Sequence, residues 1–162
     1  MDCLVQGNHE AGVTVGGSTV TLTRLQVLDT QPNGNDGFGR GLNVAEGSTV
    51  EATDCLVQGN QHIGVVLQDS TATLTDCVLE ENQYIGLGLV RATATLVGVE
   101  VLDTQTDANG EFGRGIVVQE DSTLEATDCL LQGNHYVGLF VWTSTATLQG
   151  VQVLDTQPDA NG

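Results

Sequence analysis

The sequence predicts an all-β solenoid, one domain over residues 1–162 wound as about six and a half stacked coils of 22 or 30 residues. Three observations carry that prediction. Segments recur at fixed spacing, each segment holds three short stretches of strand-like alternation, and turn residues stand at one phase between them. The composition is compatible: 40% of residues are hydrophobic, with 21 Gly and only two Pro. That is too apolar for a disordered chain, and four cysteines are too few for a disulfide-dense mini-protein.

The coils divide at 1–22, 23–52, 53–74, 75–96, 97–126, 127–148 and a partial 149–162. Residues 23–60 match 97–134 at an offset of 74, two short coils plus one long one, which marks a duplication. Asp2–Asn8 recurs as Asp54–Asn60, and Asp155–Gly162 matches Asp103–Gly110. Both ends therefore fall inside a repeat, and the chain is expected to be a segment of a longer repeat protein. Uncapped coils expose strand edges and core, so end-to-end self-association, or fraying of 149–162, is expected.

Three stretches per coil alternate with period two. A threonine stretch points Val50/Ala52, Ala72/Leu74 and Ala94/Leu96 inward and Thr-x-Thr outward. A cysteine stretch turns Cys55/Val57, Cys77/Leu79 and Val99/Val101 inward, and a glycine-containing stretch does so with Val65/Leu67, Leu87/Leu89 and Ile116/Val118. Three inward faces at one phase describe a triangular tube with an apolar interior.

Before the cysteine stretch stand Asp2, Arg24, Asp54, Asp76, Gly98, Asp128 and Gly150. An Asp/Gly mixture at one position predicts positive φ, with Arg24 the exception. After it stand Asn8, Asn60, Asn82 and Asn134, with Thr30, Thr104 and Thr156 in the long coils; stacked Asn amides can bond up the column. Cys3, Cys55, Cys77 and Cys129 share one inward position. Neighbouring coils lie roughly 4.8 Å apart, within disulfide reach, but parallel side chains point alike, so these are expected to be buried thiols.

Runs such as Ser70–Leu89 resemble the parallel β-helix repeat of pectate-lyase-like proteins, and more closely the long repeat-bearing surface proteins of some bacteria. The resemblance implies a right-handed single-stranded parallel β-helix and an extracellular or cell-surface location. It is weak on function, because that architecture carries lyases, hydrolases, adhesins and passive stalks. The enzymes of this fold imply a test: carboxylates and a basic residue outside one sheet. Here the outward positions of the glycine stretch are Thr14, Asn43, Val66, Gly88, Val117 and Phe140, none of which ionises. Glu51 and Glu125 face outward from the threonine stretch, but three coils, about 14 Å, separate them, and glycosidic hydrolysis needs two carboxyls within about 5–9.5 Å. Catalysis is not expected. Arg40 and Arg114 repeat within Phe-Gly-Arg-Gly and are expected to be structural, bonding loop carbonyls.

A formal charge of −17, with no Lys and four Arg, repels phosphate backbones and anionic lipid heads. Nucleic acid is excluded as a partner; a protein or a neutral glycan remains. No stretch approaches the roughly 20 apolar residues of a membrane span, so no membrane insertion is expected, and any targeting signal would lie outside this segment.

Three candidate sites follow. In the second long-coil loop, Asp107, Asn109 and Glu111 alternate as oxygen ligands of calcium do; a plain Gly/Asn/Asp turn is the competing reading, and no other cofactor is implied. The first copy, Asn33-x-Asn35, has Asp36 out of phase. A column of Thr19, Thr49, Thr71, Thr93, Thr123 and Thr145 could order water as ice-binding surfaces do, although Glu51 and Glu125 interrupt its neighbour. Tyr136, Phe140 and Trp142 gather aromatic side chains in one coil beside His135, with His62 and Tyr84 at the equivalent corner of earlier coils, and exposed aromatics mark sugar-stacking or protein contacts. The three histidines are expected to sit solvated at turns. The leading reading is a non-enzymatic spacer or adhesive recognition module; the alternative is a glycan-binding or polysaccharide-degrading β-helix.

Overall fold

The computed structural model describes residues 2–34, 38–107 and 109–158. It is all β: nineteen strands among those residues form three parallel sheets. The cysteine sheet has seven, from Cys3–Gln6 through Leu56–Gln58 and Val78–Glu80 to Gln152–Leu154. The glycine sheet has six, from Ala11–Gly16 through Ile63–Gln68 and Ile85–Val90 to Leu139–Trp142, and the threonine sheet six, from Thr19–Thr23 to Thr145–Gln149. Every strand pairs with its equivalent in the next coil, as in Val65↔Leu87↔Ile116↔Leu139. The extra residues of the long coils are absorbed at one corner, between the cysteine and glycine sheets, and the bridges His9↔Gln31 and Gln83↔Gln105 resume the stacking there.

The inward register is as expected. Val27, Val44, Val50, Leu67, Leu87, Leu89, Leu96 and Leu124 are fully buried, and the core is aliphatic apart from Cys55, Cys77 and Cys129. Burial falls off in the last coils, where Leu148 and Val153 expose 45% of their surface, because no further coil covers them among the described residues.

The coils turn through left-handed residues at all three corners, one of which the Asp/Gly mixture predicted. Arg24 obeys the corner rule: its φ is 49°, and its guanidinium bonds Asp2 at 3.0 Å. The second corner carries Asp29, Glu81 and Asp103, and the third Asp69, Arg91 and Glu120, all at positive φ. Such conformations cost a non-glycine residue about 1–2 kcal/mol; buried ladders hold them.

Asn82 has no exposed surface. Its Oδ1 accepts from the Asn60 backbone N–H at 3.1 Å and the Asn60 amide at 2.8 Å, while its own amide donates to the Val57 carbonyl at 2.8 Å. Thr30 and Thr104 interrupt this ladder; their backbone N–H groups bond Asn60 and Asn134, but their buried hydroxyls have no partner among the described residues. A second ladder, of serines, is new: Ser70 Oγ accepts from the Ser48 N–H and Ser122 Oγ from the Ala92 N–H, both at 3.1 Å. Its signal in the sequence is the column Ser18, Ser48, Ser70, Ser122 and Ser144, one residue before each threonine of the outer column and broken only by Ala92.

The four cysteines are free, and Cys55, Cys77 and Cys129 are buried. Cys3 is the departure: it is exposed, at the outer edge of the first coil. The Cys77 thiol donates to the Thr75 carbonyl at 3.3 Å, and the Cys129 thiol to Thr127 at 3.3 Å. The bond with Cys55, together with burial, pushes the Cys77 thiol up, and burial does the same for Cys129. A serine hydroxyl at 77 therefore inherits an acceptor instead of being orphaned. Cys77→Ser is expected to cost about 1 kcal/mol, the loss of a buried sulfur's apolar contacts. Thermal denaturation checks it: a loss beyond about 3 kcal/mol would mean the hydroxyl goes unpaired.

Candidate functional site

The outer face of the glycine sheet and the adjoining corner carry the aromatic side chains. Outward parity does not leave this face wet. Val117 is 1% exposed and Val66 is buried, packed with Ile63 and Ile85 beneath Tyr84 and Phe140 as a second apolar cluster outside the tube. The alternation assigned these valines to the exterior; the packing of Tyr84 and Phe140 against them explains their burial.

One aromatic ring per coil stacks along the corner. Ring centroids are 4.7 Å apart from Phe38 to His62, 4.9 Å from His62 to Tyr84, 5.0 Å from Tyr84 to Phe112 and 6.4 Å from Phe112 to Tyr136. The Phe of each Phe-Gly-Arg-Gly motif thus ties a long loop to the short coils between. Among the described residues the arginines bond no loop carbonyl, where the sequence suggested such bonds. The Arg40 guanidinium lies 4.4 Å from the centre of Phe38 and donates to Asn43, and that of Arg114 sits 4.6 Å from Phe112, 5.0 Å from Phe140 and 5.5 Å from Tyr136. Cation–π attraction seats both guanidiniums, and the buried Nε of each has no partner among the described residues.

Arg114 thereby brings Tyr136 and Phe140 together. Phe140 is half-buried and stacks on Trp142, ring centres 6.4 Å apart and planes 3° from parallel. Trp142 is 63% exposed and Tyr136 49%. The three predicted surface residues form one strip at the end of the glycine sheet. What that reading missed was Arg114 at its centre, since a sequence-adjacent Phe-Gly-Arg does not reveal the rings of the next coil.

His62 corrects the expectation of solvated histidines. It is half-buried between Phe38 and Tyr84, and burial, then the nearby Arg40, lowers its pKa to about 4 against the opposing pull of Asp107. Between pH 6.5 and 4 the unfolded chain binds a proton that folded His62 refuses. Its contribution to stability is thus complete above pH 6.5 and lost as pH falls towards 4. Allowing for the ring's partial exposure, the loss is about 1–2 kcal/mol. Melting curves of wild type and His62→Phe across this range should diverge on the acid side, the variant lacking that part of the slope; parallel profiles would mean that His62 is solvated.

The calcium candidates are near one another, but the Asp107 carboxylate is engaged within the turn. Asp107 Oδ1 accepts the N–H groups of Asn109 and Glu111, each at 2.9 Å, and Oδ2 faces the Asn109 amide at 3.4 Å. The Asp107 N–H in turn bonds the Glu111 carbonyl at 2.9 Å. This is a self-capped turn, and no group of three or more His, Cys, Asp or Glu suited to a metal occurs among the described residues. Asp36 lies outside the described residues. Equal melting curves are expected in millimolar Ca²⁺ and in NaCl of matched ionic strength; an excess rise in calcium, abolished by Asp107→Ala, would establish a site.

On the threonine sheet Thr19, Thr49, Thr71, Thr93, Thr123 and Thr145 stand in register. Glu51 and Glu125 share the neighbouring column with Thr73 and Thr95 between them, so no carboxyl pair forms on this face.

A parallel tube of stacked coils with ladder-lined corners defines the class of the protein. Residues 1–153 match the family model for the right-handed β-helix region, and the chain belongs to that family. A search of the curated proteins finds no match to it.

Proposed function

We propose that this β-helix is a non-catalytic module of an extracellular or cell-surface protein, in which the tube is a spacer and the Tyr136–Phe140–Trp142 strip is an adhesive recognition surface for a protein or a neutral glycan. The observation that carries this reading is Trp142: a large apolar ring, 63% exposed, held parallel to Phe140. Exposed aromatic platforms of this kind have contact area to offer at little entropic cost. The outer faces of the glycine and threonine sheets favour binding over polysaccharide cleavage, because the glycine strands present no carboxyl and Glu51 and Glu125 on the threonine strands stand three coils apart. A glycan-array and protein-array screen, with and without Ca²⁺, tests the reading. Specific binding lost in Trp142→Ala and in Tyr136→Ala supports it; binding that survives both changes refutes the assignment of the surface.

The unbroken threonine column favours a second reading, water ordering at ice. Thermal hysteresis abolished by Thr71→Leu and Thr93→Leu would support it. The apolar side chains left open in the last coils fit burial under a further coil, supplied by a longer chain or by a second copy stacked end to end; sedimentation of the 162-residue chain against concentration tests the latter.

A further inference from the structure

We infer that the strip accepts an arginine-bearing segment of another protein, an inference that rests on the recognition surface above and names its partner. The molecule already contains the interaction in miniature. Arg114 is held over Phe112, Phe140 and Tyr136 at 4.6–5.5 Å, so these rings present their negative faces to a guanidinium. Phe140 passes the stack on to Trp142, whose ring is mostly open to solvent. A guanidinium from outside would continue the series beyond Trp142.

Charge selects the same partner. The net charge is −17, and of the four arginines Arg24 and Arg91 are paired with carboxylates. A second copy of the chain would bring like charge to like. Beside the strip, the exposed Asp121 donates its backbone N–H to the carbonyl of Thr143, the residue after Trp142, at 2.9 Å. An arginine stacked on Trp142 thus has a carboxylate at hand, and its planar fork suits both ring and carboxylate better than an ammonium does. A neutral glycan would use the ring but gain nothing from Asp121.

Trp142 is the single tryptophan, so its emission reports directly on the strip. The experiment titrates the 162-residue chain with a short oligoarginine peptide and with an oligolysine of equal length, at low and high salt. Expected are a saturable change in Trp142 emission, tighter binding of oligoarginine, and weakening by salt. By calorimetry, Trp142→Ala should weaken binding about tenfold. Asp121→Asn should weaken it by about threefold, whereas Glu51→Gln, the same change of charge on the threonine sheet, leaves it unaltered. Equal weakening by Asp121→Asn and Glu51→Gln, unchanged emission, or oligolysine binding as tightly would overturn the inference. If the peptide fails while a glycan or protein still binds in a Trp142-dependent way, the recognition surface stands and only its cationic partner falls.

Discussion

Asn82→Ala is expected to lower stability by about 3–5 kcal/mol, with a fall in Tm of about 10 °C. The side chain is fully buried, and its removal takes three hydrogen bonds away: from the Asn60 N–H, from the Val57 carbonyl, and from the Asn60 amide, which keeps only its 3.5 Å bond to the Val27 carbonyl. Each orphaned group in a dry corner costs about 1–3 kcal/mol. Because a solenoid is held by nearest-neighbour interfaces, the damage falls on the junction of the third and fourth coils. Asn82→Thr, which copies what Thr30 and Thr104 do in the long coils, should recover part of the loss. Thermal unfolding of both variants decides: a loss below about 1 kcal/mol for Asn82→Ala would show that the ladder is solvated, not buried.

Gly64→Ala should destabilise nearly as much, by about 2–4 kcal/mol, although it adds one methyl group. A Cβ at this position would lie 2.6 Å from the Gly86 carbonyl oxygen and 2.7 Å from the Asn82 amide nitrogen. The glycine column runs against the asparagine ladder, and hydrogen bonds on both sides fix the spacing of the coils, so neither backbone can yield. Gly88→Ala, two strand positions along the next coil, supplies the contrast. Its Cβ would meet Ile85 at 3.7 Å and Val66 at 3.9 Å, ordinary contacts in the external apolar cluster. That change should be neutral within about 0.5 kcal/mol. Denaturant midpoints for the pair test the close approach; equal effects would contradict it. The Gly64→Ala and Asn82→Ala effects should also fall short of adding, since truncating Asn82 removes one of the two clashes.

The aromatic spine shows why the site was harder to read than the tube. Tyr136, Phe140 and Trp142 are legible as a patch because they share one coil and one outward parity. Arg114 and Phe112 belong to the same cluster, but they precede it by a whole coil and sit in an irregular loop, where no period predicts a side chain's direction. His62 reads as a turn residue until Phe38, from the long loop of the preceding coil, is seen to cover it.

By itself the sequence determined the number and length of the coils, the three inward faces and the asparagine column. Those features repeat every turn, and a one-residue slip would expel a whole face of Val and Leu from the core. The tertiary structure alone decided the rest: the bonding of the serine column into a ladder, the burial of Val66 and Val117, and the seating of Arg114 among rings. Periodicity along a chain records which way a strand residue points. What lies above it depends on the neighbouring coil and the long loops, whose contacts are fixed only when the coils stack about 4.8 Å apart.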